Sequence, residues 1–120
     1  MPHLIQEFTD NLADRINHKS LFADFHSALV QKGGVDRKNC KSRAVKLDTF
    51  YSEKETFVHL CVALLEGRDE DVLNRIGKAL LDVLRRYYFA DGEQDKVDIT
   101  VEIREMNSKL YFKHTGTRIR

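Results

Sequence analysis

The feature that most restricts how this chain can fold is an internal echo. A shift of 56 residues lays one half of the chain over the other. It places Pro2-His3-Leu4 over Val58-His59-Leu60, a helix beginning at Ser20 over the later part of a second helix, and Lys41 to Thr49 over Val97 to Glu105. Each half then reads strand, helix, strand, and a right-handed crossover makes the two strands of a half parallel. Two such units joined give an α+β fold: a four-stranded mixed sheet with two helices on one face. At 120 residues the chain supports one hydrophobic core, so we expect one domain with halves near 2–56 and 57–113. The second face of the sheet would be bare. A monomer cannot easily expose that much apolar strand surface, so association through this face is expected.

Local patterns support each element. Pro2 to Phe8 reads as the first strand. From Ser20 to Lys32, Leu21, Phe22, Phe25, Leu29 and Val30 recur at helical spacing, and Gly33-Gly34 supplies the stop. Cys40 to Thr49 reads as the second strand. Phe57 to Leu65 is continuously apolar, as expected of a central strand covered on both faces. In the second helix Val72, Ile76, Leu80, Val83 and Tyr87 share a face. Asp69, Glu70 and Asp71 lie in its first turn and Arg85-Arg86 near its last, with Asp91-Gly92 as its end. Val97 to Arg104 alternates apolar and polar residues like a half-buried strand.

Twenty basic and 19 acidic residues are interspersed, for a formal net charge of +1. No block of like charge suggests a nucleic-acid or membrane surface. No apolar run approaches the roughly 20 residues of a membrane span. The opening MPHLIQEFTD does not read as a signal peptide. A cytoplasmic protein is expected. Cys40 and Cys61 form no framework and match no metal spacing; both thiols are expected reduced, with Cys61 in the core. The five histidines lack zinc-site spacing, and His3 and His59 occupy corresponding places as hydrogen-bonded imidazoles. No metal and no cofactor is expected.

The single proline stands at position 2. A small second residue favours removal of Met1, which would leave Pro2 with a free secondary amine. Burial or a neighbouring cation lowers an amine's pKa, and a neutral amine can move protons on carbon acids. The other reading is that Pro2 simply begins an edge strand. Arg68 follows a glycine where a strand meets a helix, a place suited to gripping a carboxylate; pairing with Asp69 or Asp71 is the alternative. Lys41 and Arg43 lie two apart and share a strand face. They either receive an acidic substrate or form a solvated edge or an intersubunit salt-bridge set.

Met-Pro-His-Leu-Ile-x-Glu-x-x-Asp-Asn at the start, Lys41-Ser42-Arg43, Phe57-Val58-His59-Leu60, Gly67-Arg68 and Tyr111-Phe112-Lys113 together resemble the 5-carboxymethyl-2-hydroxymuconate isomerase family. That family lies in the tautomerase superfamily, with 4-oxalocrotonate tautomerase and macrophage migration inhibitory factor. Leu65-Glu66-Gly67-Arg68 also resembles the corresponding turn of 4-oxalocrotonate tautomerase. The resemblance implies a homotrimer packed sheet to sheet, and an amino-terminal proline base at Pro2. It implies that Arg68 grips a carboxylate and offsets dienolate charge. Phe112 matches an aromatic near the proline, either walling the amine or packing the tail.

Two departures stand out. Lys41 replaces an arginine, keeping the charge but losing the two-armed fork, and the loop Ser52 to Thr56 is short. Arg43 matches the next arginine of the family. The implied function is a metal-free proton shift on an unsaturated 2-hydroxy or 2-oxo dicarboxylate, as in aromatic-compound catabolism. Another proline-dependent tautomerase or dehalogenase, or a non-catalytic trimeric binding protein, are the alternatives.

Overall fold

Alternation along each strand decides which residues meet the helices. In β1 (His3–Thr9), Leu4, Gln6 and Phe8 are buried while His3 and Ile5 are half-buried. In β3 (Thr56–Leu65), Val58, Leu60, Val62 and Leu64 are buried and the intervening residues are not. The structure is a computed structural model describing residues 2–12, 16–89 and 97–116. Its remaining main elements are α1 (His18–Gly33), β2 (Lys41–Leu47), α2 (Glu70–Tyr88) and β4 (Val97–Met106). Asn17 caps α1 through Ser20 N–H, and Gly34 ends it in the left-handed conformation. The proposed end of the second helix at Asp91-Gly92 lies outside the described residues. Here α2 closes at Tyr88, with the Phe89 N–H on the Arg85 carbonyl at 2.9 Å.

The sheet order is β2-β1-β3-β4. β1 pairs parallel with β2 and β3 parallel with β4, while β1 and β3 are antiparallel. This is the duplicated arrangement expected, with both helices on one face. Leu21, Phe25 and Leu29 of α1 and Ile76, Leu80 and Leu84 of α2 are fully buried against Leu4, Val58, Leu60, Val62 and Leu64. Each such aliphatic side chain contributes about 1.5–3 kcal/mol by leaving water.

The echo between the halves is exact in only part of the chain. His3 faces Ala63 and His59 faces Glu7, a pairing of the central strands that is compatible with the 56-residue shift. Lys41, however, pairs with His3, whereas Thr100 and not Val97 pairs with His59. The outer strands are therefore related by a shift of 59. An odd slip reverses the faces. Val97 is buried, while Lys41 is exposed on the opposite face.

Two expectations about the open face are corrected. β3 is covered on one side only within a chain, so Cys61 is half-buried on the open face and not in the core. That face is also less apolar than expected. β4 packs Ile99, Val101 and Ile103 against the core and turns its polar residues outward. His59 binds Thr100 at 2.6 Å and Glu102 at 3.2 Å, and Arg104 donates to Glu102 at 3.0 Å. Those bonds lower the Glu102 carboxyl pKa, the Arg104 donation foremost.

Candidate active site

Strand direction determines which candidate residues can meet. β1 and β2 start at the same end of the sheet, and β3 and β4 finish there. Pro2, Lys41, the Glu66-Gly67-Arg68 turn and the tail after Met106 therefore gather at one end. The short loop Ser52 to Thr56 lies at the other, tied down by a Lys54–Asp98 ion pair of 2.9 Å.

Pro2 is buried, and its carbonyl accepts the Lys41 N–H at 3.1 Å. Met1 lies outside the described residues. Lys41 and Arg43 are both exposed on the open side of β2. Gly67 has φ +119, a conformation side chains resist, so the turn after β3 needs glycine. Arg68 beyond it is half-buried and donates to the Leu65 carbonyl at 3.3 Å. Among the described residues it makes no ion pair with Asp69 or Asp71, so its guanidinium is not neutralised by its acidic neighbours.

The turn also holds the tail. Glu66 N–H donates to the Met106 carbonyl at 3.0 Å, and its carboxylate accepts from Ser108 N–H at 2.7 Å and Ser108 Oγ at 3.1 Å. A short 3-10 turn, Ser108–Leu110, follows and delivers Tyr111 to β1. There Tyr111 Oη lies 3.0 Å from His3 Nε2, while His3 Nδ1 lies 3.4 Å from an Arg43 nitrogen. Phe112, the aromatic expected beside the proline, is 85% exposed and walls nothing within one chain. The residue that does reach β1 from the tail is Tyr111. Only its place beside Phe112 in the quoted motif could have drawn attention to it.

Burial, then Arg43 and Lys41, lowers the His3 pKa, keeping its ring neutral. Burial also lowers His18 and, with Arg37, His26, whose Nε2 lies 2.7 Å from Ser42 Oγ. All three shifts have one sign. The unfolded chain binds protons near pH 6.5, before the folded one does, so acidification below that value favours unfolding. The urea midpoint should be lower at pH 5 than at pH 7.5; an equal or higher midpoint would contradict the neutral-histidine arrangement.

Cys40 is buried, and burial pushes its thiol pKa up. Among the described residues no cluster of three His, Cys, Asp or Glu side chains could hold a metal, and no helix is long and apolar enough to cross a membrane. A groove of about 740 Å³ runs between α1 and α2, and one of about 370 Å³ lies between α2 and β4. Neither is lined by Pro2, Lys41 or Arg68.

Comparison with known proteins finds relatives over nearly the whole chain. The family model for 5-carboxymethyl-2-hydroxymuconate isomerase matches residues 2–120. The 5-carboxymethyl-2-hydroxymuconate Delta-isomerase of Escherichia coli is 26% identical over 120 residues, spanning 97% of this chain and 95% of that protein. The crystal structure of a 5-carboxymethyl-2-hydroxymuconate isomerase from Deinococcus radiodurans R1 superposes with a TM-score of 0.83 at 26% identity, over 96% of this chain and 90% of that one. A fused 4-OT symmetric trimer shares the fold, with a TM-score of 0.75 at 15% identity, covering 96% of this chain and 94% of that one.

Proposed function

The chain belongs to the 5-carboxymethyl-2-hydroxymuconate isomerase family, and from that premise we propose that it shifts a proton along an unsaturated 2-hydroxy dicarboxylate, with the amine of Pro2 as base. The observation that carries the reading is convergence. Pro2, Lys41 and Arg68, each singled out by a different sequence feature, belong to three segments that meet at one end of the sheet. The buried setting of Pro2 and the cations of β2 both disfavour a charged amine.

In this mechanism the neutral amine takes a proton next to the carbonyl of the 2-oxo form. Arg68 and Lys41 hold the carboxylates and offset the charge that spreads over the dienolate, and the protonated amine returns the proton to a distant carbon. The reaction needs no external acid, because one group both removes and delivers the proton. 5-Carboxymethyl-2-hydroxymuconate, a muconate dicarboxylate that bears a third carboxylate on its carboxymethyl arm, is the substrate we favour, and we read the enzyme as one of cytoplasmic aromatic-compound catabolism. We also read the molecule as a homotrimer associating through the open sheet face. Support comes from the symmetric trimer with the same fold and from the charged edge residues available to pair between copies. Sedimentation equilibrium should give three times the 14.0 kDa chain mass; a monomer would refute the trimer.

The function is tested by following the ultraviolet absorbance of 5-carboxymethyl-2-hydroxymuconate with enzyme whose intact mass has been measured. Turnover by protein lacking Met1 supports the proposal. Retention of Met1 in fully active protein would overturn the role of Pro2.

A further inference from the structure

The bonds around His3 have a direction that the geometry alone determines. A guanidinium can only donate, so the contact at 3.4 Å makes His3 Nδ1 the acceptor from Arg43. A neutral imidazole accepting at Nδ1 carries its proton on Nε2. Nε2–H must then donate to Tyr111 Oη at 3.0 Å. The phenol's lone pair is occupied by this bond, and its own O–H is left to donate outward. Among the described residues it has no other hydrogen-bond partner.

The location of that donor matters. His3 follows Pro2 directly and faces Lys41 across the β1–β2 pair. Its other facing residues are Arg43 on β2, Ala63 on β3 and Tyr111 on the tail. The two rings meet edge to face, with centroids 6.1 Å apart at 66°, so the phenol is steered as well as bonded. The Glu66–Ser108 bonds hold the tail that carries it. Lys41 supplies charge at this edge but, lacking a planar fork, little direction.

We propose that Tyr111 is a substrate-binding residue, its hydroxyl donating to a carboxylate oxygen of the bound acid, and that His3 is the positioning residue that aims it. This rests on reading the Pro2 edge as the substrate site. The fixed phenol provides at this edge the directional donor that Lys41 does not.

The test measures binding of cis,cis-muconate, an unsaturated dicarboxylate without the 2-hydroxyl, by calorimetry. A hydrogen bond to a charged group is worth enough that Tyr111→Phe should weaken binding ~10-fold or more. His3→Asn cannot reach Tyr111 and should weaken it similarly, whereas His3→Gln extends an amide donor toward the phenol and should restore most of the affinity. The His3→Asn/Tyr111→Phe double variant should bind no more weakly than Tyr111→Phe. Tyr51→Phe, which removes the hydroxyl of an 88% exposed residue at the opposite end of the sheet, should change nothing. In turnover assays Tyr111→Phe should raise KM and leave kcat nearly unchanged.

Unchanged affinity in a folded Tyr111→Phe protein, fully additive losses in the double variant, or a wild type that does not bind muconate would each overturn the proposal. Tyr111-dependent muconate binding by a wild type that does not isomerise 5-carboxymethyl-2-hydroxymuconate would uphold it while refuting the isomerase assignment. The two failures are thus separable.

Discussion

Pro2→Ala protein is expected to isomerise 5-carboxymethyl-2-hydroxymuconate with a kcat lower by ~10²-fold or more, the usual contribution of a positioned general base. Alanine at position 2 keeps a small residue behind Met1, so the initiator should still be removed, and a primary amine remains. The variant therefore removes ring and secondary-amine character without removing the terminal nitrogen. The ring matters for two reasons. It ties the nitrogen back to the side chain, so the amine cannot rotate about N–Cα at the head of β1, and it makes the base a secondary amine in a buried position. Activity should also fall as pH drops through the amine's pKa, since the protonated base cannot accept. A Pro2→Ala enzyme with wild-type kcat and confirmed loss of Met1 would show that the ring and the secondary amine are not required, and wild-type kcat with the terminal amine acetylated would place the base elsewhere.

Arg68→Ala should lower kcat by ~10²–10³-fold, the scale for removing one donor aimed at developing charge. The guanidinium has one known task already, its bond to the Leu65 carbonyl at 3.3 Å. A purely structural role would therefore appear as a lower melting temperature with kcat preserved in the folded fraction. Arg68→Lys separates the two roles further. It retains a cation but not the fork that matches a carboxylate, so KM should rise while part of kcat returns. Near-wild-type kinetics in Arg68→Ala would exclude this side chain from charge stabilisation.

The architecture was legible in the sequence because it is written twice. The apolar phase of Val97 to Arg104 is a property of a single strand, and it gives that strand its buried face without knowledge of the partner. What the sequence did not reveal was register between strands. The slip that pairs His59 with Thr100 rather than Val97 is a relation between two strands, and no single-strand pattern encodes it. Reading Cys61 as core failed for a related reason. A continuous apolar run conceals its alternation, and only the positions of the two helices decide which half of it is buried.

At the candidate site, Pro2 and Arg68 were visible through position and turn chemistry, which are local. Tyr111 was not, because its contact with His3 spans 108 residues and depends on the Glu66–Ser108 bonds that direct the tail. Phe112, adjacent in sequence, carries the aromatic character that the resemblance pointed to, yet it is exposed to solvent.

The near-symmetry of the sheet has a consequence for stoichiometry. Rotating one half onto the other carries Pro2 onto Val58, whose nitrogen is an amide locked in the middle of the polypeptide. Such a nitrogen has no basicity to lend. Gene duplication can copy a strand, a turn and a helix, but a chain has only one beginning. The sheet therefore has two similar ends, of which only the one at Pro2 could carry a free amine, leaving the second free to diverge.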